Sequence, residues 1–172
     1  MDILVTKRLL LRSPTHDDFQ DLHANVLSDP AVMKLAFSGC ALNLAQSRAF
    51  FEKNFDHNQS GRKLGVLVER NAQTLVGFAG LISCSALGQP DYELGFVLRR
   101  EAWGNGYATE IGLGQLDYGF NTLCLTRILA QVDPINISSV AVLTKIGMAF
   151  HSNVRSRERG ERQVYVKTCT SR

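Results

Sequence analysis

Apolar positions recur along the chain with two periods, and the switches between them lay out the elements. Residues 6–12, with Leu9, Leu10 and Leu11 in a row, read as a first strand stopped by Ser13-Pro14. Phe19, Leu22, Val26 and Leu27 then fall at helical spacing behind Thr15, read as the cap, with Asp17 and Asp18 in the first turn and Asp29-Pro30 as the stop. Residues 31–40 are irregular or a short helical piece. Asn43 and Gln46 form a capping-box pattern ahead of a second helix carrying Phe50, Phe51 and Phe55. Three strand patterns follow, at 63–70, 75–85 and 91–98, joined by the turn-forming stretches 71–74 and 87–90. They predict an antiparallel meander.

Beyond the meander the pattern changes to helix (106–121), strand (126–132), helix (capped by Asn136, ended at Gly147) and two closing strands at 148–154 and 163–168 around a polar loop, 155–160. Strand, helix, strand is a parallel crossover. Together these segments predict an α/β (α+β) domain: a mixed, mostly antiparallel twisted sheet of six to seven strands with about four flanking helices. Gly112, Gly114 and Gly119 stand inside the helix after Gly106, each costing about 1 kcal/mol against alanine. That helix is kept because Ile111, Leu116 and Phe120 still give it an apolar side, and bare glycines permit close packing on a sheet.

The chemistry concentrates between Tyr92 and Glu110. Alternation along 92–98 puts Tyr92, Leu94, Phe96 and Leu98 on one face and Glu93, Gly95 and Val97 on the other. Glu93 therefore points where a glycine leaves room. Next comes Trp103-Gly-Asn-Gly-Tyr-Ala108 at the start of a helix, whose first-turn N–H groups have no partner inside the helix and carry partial positive charge. With glycines at 104 and 106, such a turn can cradle phosphate oxygens on main-chain donors.

Length and composition narrow the classes. A chain of 172 residues suits one domain spanning 1–172, able to bury about 70% of its unfolded surface without disulfides or metal. Net charge is only +3, although Arg155, Arg157, Arg159, Arg162, Lys167 and Arg172 crowd the end. They read as a local basic segment of solvated charge with no site assigned, not a nucleic-acid footprint. Cys40, Cys84, Cys124 and Cys169 show no Cys-x-x-Cys or Cys/His spacing, which argues for a reducing cytosol and against a zinc site. His16, His23, His57 and His151 have no partner at motif spacing. The longest apolar run, 75–82, is too short to span a bilayer, and no targeting pattern is visible.

Three patches resemble the GNAT superfamily of N-acetyltransferases, and within it the RimJ/RimL branch of ribosomal-protein N-acetyltransferases. Thr6-Lys-Arg-Leu-Leu-Leu-Arg12 is similar to the branch's first strand. Trp103-Gly-Asn-Gly-Tyr-Ala-Thr-Glu110 is similar to its acetyl-CoA pyrophosphate loop, and Asp133-Pro-Ile-Asn-Ile-Ser-Ser-Val-Ala-Val-Leu-Thr-Lys-Ile-Gly147 to its cofactor-side helix. The resemblance implies acetyl transfer from acetyl-CoA to a primary amine, a protein N-terminus or a small molecule, with a ribosomal-protein N-terminus as one acceptor of the branch. It also implies a monomer or homodimer in the cytoplasm with no membrane, metal or nucleic-acid partner. Trp103 stands where the superfamily has Gln or Arg, so phosphate binding rests more on backbone. Met148 replaces a usual aromatic.

Carried onto this chain, the resemblance assigns cofactor contacts to Phe96, Val97, Leu98, Trp103, Gly104, Asn105, Gly106, Tyr107, Ala108, Thr109 and Asn136. The main chain of 96–98 would bond the pantetheine arm and one amide would polarise the carbonyl. Glu93 would accept the ammonium proton, directly or through water, its other reading being an exposed strand residue or an ion-pair partner. Ser139 would protonate the departing thiolate, against a structural serine, and Asn136 would touch the cofactor arm or simply cap its helix. A non-catalytic acyl-CoA-binding or sensing module is the alternative. A dinucleotide fingerprint is disfavoured because Thr109 holds its third glycine position and the turn follows a meander. No Gly-Lys-Ser/Thr phosphate loop occurs.

Overall fold

The β-prone runs and their turns assemble, in the computed structural model, into a single sheet; the structure describes residues 1–37, 39–156 and 159–169. Among these, eight strands lie in the order β1-β2-β3-β4-β5-β6-β8-β7. Strands β1 (Asp2–Val5) and β2 (Leu9–Arg12) form a hairpin, and β3 (Leu64–Glu69), β4 (Thr74–Cys84) and β5 (Asp91–Leu98) continue it as the expected antiparallel meander. After helix α4 (Tyr107–Asp117), strand β6 (Arg127–Val132) returns parallel to β5. Helix α5 (Ile137–Lys145) leads to β7 (Ala149–Ser156) and β8 (Gly160–Thr168), with β8 inserted antiparallel between β6 and β7.

The expected six to seven strands become eight because a strand, β1, precedes residues 6–12, and of that stretch only Leu9–Arg12 is extended. Thr6, Lys7 and Arg8 turn: the Thr6 amide donates to the Leu9 carbonyl at 2.8 Å, and the Leu9 amide donates to the Thr6 hydroxyl at 3.0 Å. The hydroxyl supplies the turn that no glycine or asparagine announces. The loop read at 155–160 also shortens, since Arg155 pairs with Glu161 and Ser156 with Gly160 across the closing hairpin. Arg157 and Arg172 lie outside the described residues.

Helices α1 (Asp18–Leu22), α2 (Pro30–Met33) and α3 (Leu44–Asn54) cover one face of β3 and β4. The capping box of α3 forms as read, Gln46 N–H to Asn43 Oδ1 at 2.9 Å and Asn43 N–H to Gln46 Oε1 at 3.0 Å. Thr15 does not cap α1: its N–H and hydroxyl instead donate to Asp18, which also takes a bidentate bond from Arg12. The N-cap position falls to Asp17, which makes no side-chain capping bond, because the charged Asp18 carboxylate draws the Thr15 hydroxyl to itself. α1 runs on as a π-helical turn, His23–Leu27, which ends just ahead of Asp29-Pro30 as read, and Asp29 then caps α2 through the Ala31 and Val32 amides.

The glycines of α4 and of the π-helical turn that continues it, Tyr118–Thr122, act in packing. A Cβ at Gly112 would lie 3.0 Å from Ile146 Cδ1 on the α5 side, at Gly114 2.9 Å from Thr6 Cγ2, and at Gly119 2.5 Å from Ile128 Cδ1. The helix axis thus lies close against the sheet, and its N-terminus is set beside the end of β5.

Candidate active site

The site begins where two strands part. β5 and β6 pair at Glu93 and Leu129, while β5 stays bonded to β4 along its other edge as far as Leu98. From Gly95 to Leu98 the second edge of β5 therefore opens into a cavity of about 520 Å³. An open strand edge offers main-chain N–H and C=O groups to an extended ligand arm.

At the far end of that edge the turn into α4 is bare. Gly104 and Gly106 have φ of +73° and +79°, left-handed values that disfavour side chains, and Gly106 caps α4 without a side-chain bond. A Cβ at Gly104 would meet nothing within 4 Å. The Trp103 indole N–H donates to the Leu98 carbonyl at 2.9 Å, tying the turn to the strand. The Asn105 side chain is occupied inside the loop, donating to Trp103 O at 3.1 Å.

The loop is fastened from behind by residues the sequence reading gave to a strand. Arg8 donates through Nη1 to the Asn105 carbonyl at 2.9 Å and through Nε to Glu110 at 2.7 Å, and lies 4.7 Å above the Tyr107 ring. Glu110 also accepts from the Thr6 hydroxyl and the Arg8 amide. Burial pushes the Glu110 carboxyl up, but these three donors outweigh it and hold the carboxyl below its usual range.

At the other end of the cavity stands Glu93, 5% exposed. Its Oε1 accepts from Arg159 Nη1 at 2.9 Å and its Oε2 from the Gln131 amide. Next to this pair, Arg162 donates to Asp133 Oδ2 at 3.1 Å and to the Phe37 carbonyl at 3.2 Å. Burial lowers the Arg162 pKa and the Arg159 charge adds to that, with Asp133 opposing; the group stays a cation at neutral pH. Phe37 has φ of +48°, a conformation that costs a bulky residue about 1–3 kcal/mol. Its ring packs on Phe50 and Phe78, with the Arg159 guanidinium 5.9 Å away.

The residues named from sequence as cofactor contacts line this cavity, with the exception of Asn105, which faces a neighbouring groove. Glu93 and Ser139 line it too. Asn136 Oδ1 accepts the Ser139 amide at 3.1 Å, so the cap is made and that oxygen is committed. Ser139 is half-buried. What the sequence reading missed is Arg159, Arg162, Gln131 and Phe37. The first two were given to solvated charge, and the available signal was the return of the last strand: antiparallel pairing of Gln131 with Val164 and Val132 with Gln163 brings residues 159–162 to this end of the sheet.

Acetyl-CoA fits this setting on two observations: a glycine cradle at a helix N-terminus that side chains would fill, and an open strand edge leading from it to a buried carboxylate. Among the described residues no group of His, Cys, Asp and Glu could hold a metal ion, and no helix is long and apolar enough to cross a membrane.

A splayed sheet closed at one end by bare helix-terminal amides suits a ligand with an extended arm and a phosphate group, as in a coenzyme A-dependent acyltransferase. The chain belongs to the GNAT acetyltransferase family: residues 8–149 match the family model described as an acetyltransferase (GNAT) domain. It is 34% identical over 145 residues to the uncharacterized N-acetyltransferase YnaD of Bacillus subtilis, covering 84% of this chain and 81% of that protein. It is 32% identical over 154 residues to the uncharacterized protein YkkB of the same organism, 88% of each. The crystal structure of a GNAT-family acetyltransferase from Bacillus anthracis superposes with a TM-score of 0.80 at 27% identity, over 96% of this chain and 97% of that one. The protein is an N-acetyltransferase that draws its acetyl group from acetyl-CoA.

Proposed function

We propose that the protein acetylates a primary amine by direct transfer, with Glu93 as general base. The observation that carries this reading is a buried carboxylate on the wall of the cavity at the point where β5 and β6 diverge. When bound, acetyl-CoA supplies a thioester whose carbonyl carbon takes the amine nitrogen and whose sulfur leaves as the thiol. The main-chain N–H groups at the start of α4, from Gly104 to Thr109, hold the diphosphate, and those of the open β5 edge, Phe96 to Leu98, bond the pantetheine arm and polarise the carbonyl.

Glu93 takes the proton of the arriving ammonium, directly or through a water, leaving a free amine as nucleophile. Arg159 and Gln131 clamp both carboxylate oxygens and fix where that proton is received. Ser139, on the first turn of α5, gives a proton to the sulfur and recovers one from the nitrogen that has formed the amide bond, and Asn136 sets the serine's backbone through its capping bond. The three sequence patches support placing the chain in the RimJ/RimL branch, as one acetyltransferase unit in the cytoplasm, monomeric or homodimeric, with protein N-termini, ribosomal ones included, and small amines as acceptors.

The test is release of free thiol from acetyl-CoA over a panel of amines. Amine-dependent release is expected, and Glu93→Gln should lower kcat about a hundredfold or more while acetyl-CoA affinity stays unchanged. Undiminished turnover in Glu93→Gln across pH removes Glu93 from the mechanism. Ser139→Ala with an intact maximal rate removes the serine.

A further inference from the structure

We infer that the acceptor is a monoamine carried on an apolar or aromatic body, not a polyamine; this rests on the acetyltransferase reading of the same cavity. A polyamine brings two or more ammonium groups, and each that leaves water needs a carboxylate to receive it. Among the described residues lining the cavity there are two carboxylates, Glu93 and Asp133, and two guanidinium groups, Arg159 and Arg162. Each carboxylate is already bound to an arginine, Glu93 to Arg159 at 2.9 Å and Asp133 to Arg162 at 3.1 Å. The formal charges of these groups cancel. A second or third ammonium entering here meets two cations whose counter-ions are taken, and like charges at short range oppose it.

The cavity also has a continuous apolar stretch of wall. Ala31, Val32, Leu35 and Ala36 come from α2 and the chain after it, Ile82 from β4, and Phe37 presents an aromatic ring beside Arg159. Phe37 is held in its left-handed conformation with its carbonyl bonded to Arg162. A backbone in that state beside the guanidinium that binds Glu93 marks a place where side-chain position matters more than local ease. The wall therefore receives the carbon body of the acceptor, and Glu93 the single ammonium.

The experiment measures kcat/KM for 2-phenylethylamine, n-hexylamine and spermidine, alongside calorimetry with acetyl-CoA alone, on wild type, Phe37→Ala and Arg159→Gln. Wild type should prefer an apolar monoamine over spermidine by about tenfold or more. Phe37→Ala should lower kcat/KM for the apolar amines and leave that for spermidine within about twofold. Arg159→Gln, which releases Glu93 from its cation, should raise kcat/KM for spermidine, whereas a purely structural arginine would lower all three. Preference for spermidine in wild type, or equal losses for all amines in both variants, overturns the inference while acetyl-CoA binding keeps the acetyltransferase reading. Acetyl-CoA binding with none of the amines consumed also overturns it. Absence of acetyl-CoA binding overturns both.

Discussion

Glu93 shows how far a single position can be read. Alternation along β5 placed it beside Gly95 on one face, and that placement needs only the two-residue period. Its burial and its clamp by Arg159 and Gln131 come from residues 66 and 38 positions away, and no local pattern encodes such a distance. Another residue was silent for the same reason. Gln115 is 1% exposed, and its amide nitrogen and oxygen find no partner among the described residues. Burying an amide without partners is costly, so Gln115→Leu should raise unfolding free energy by about 1 kcal/mol, measured by urea denaturation. A loss of stability would mean the amide is bonded in solution. Among the thiols, burial pushes Cys84 up to about 11, whereas Cys40 and Cys124 are exposed. Maleimide labelling at pH 7.5 should modify Cys40 and Cys124 well before Cys84.

Helix α4 and its π-helical continuation set propensity against packing. Their glycines each cost about 1 kcal/mol of helix propensity, yet a methyl at Gly119 would press on Ile128 and Leu81, both buried. Overpacking costs about 1–3 kcal/mol, so Gly119→Ala should destabilise the protein despite the better helix former. A raised thermal midpoint would show that the core yields. The apolar side of this helix was legible from Ile111 and Leu116; its closeness to the sheet was only suggested by glycine content. The turn before it depends on Arg8 and Glu110, whose bond crosses 102 residues. Arg8→Ala should weaken acetyl-CoA binding about fivefold to tenfold by loosening the Asn105 carbonyl and the first turn, with the fold kept. Here the sequence misled: three leucines after Thr6-Lys-Arg suggested one strand, because the turn uses a threonine hydroxyl rather than a turn-forming dipeptide.

Across the whole molecule, strand order follows from segment lengths and turn residues through β5, and from the crossover to β6. The insertion of β8 between β6 and β7 was hidden, as no periodicity distinguishes a central from an edge strand here. That insertion is what carries Arg159 and Arg162 to Glu93 and Asp133. Stability at low pH also belongs to this scale. Burial acts against the charge of Asp18, Asp56 and Glu110, but Arg12 and Thr15, Ser60 with Gly61 and Ser13, and Thr6 with Arg8 respectively outweigh it and leave all three carboxyls below their usual range. Arg100, with the Ala31 and Val32 amides, lowers Asp29 against a smaller effect of burial. Folded-state values lying below unfolded ones add stability that is complete above the unfolded values, about 4, and is lost as pH falls through the folded ones. Urea midpoints should thus hold level from pH 7 to about 5 and drop below about 4. A midpoint that rises on acidification would contradict these pairings.

Calorimetric titration of acetyl-CoA into wild type and into Gly104→Val/Gly106→Val bears most directly on the central claim, that bare amides ahead of α4 and the open edge of β5 hold the acetyl donor. The account predicts saturable binding to wild type and at least about a tenfold loss in the substituted chain, with its circular dichroism unchanged. No heat with wild type, or equal affinity in both, would contradict it.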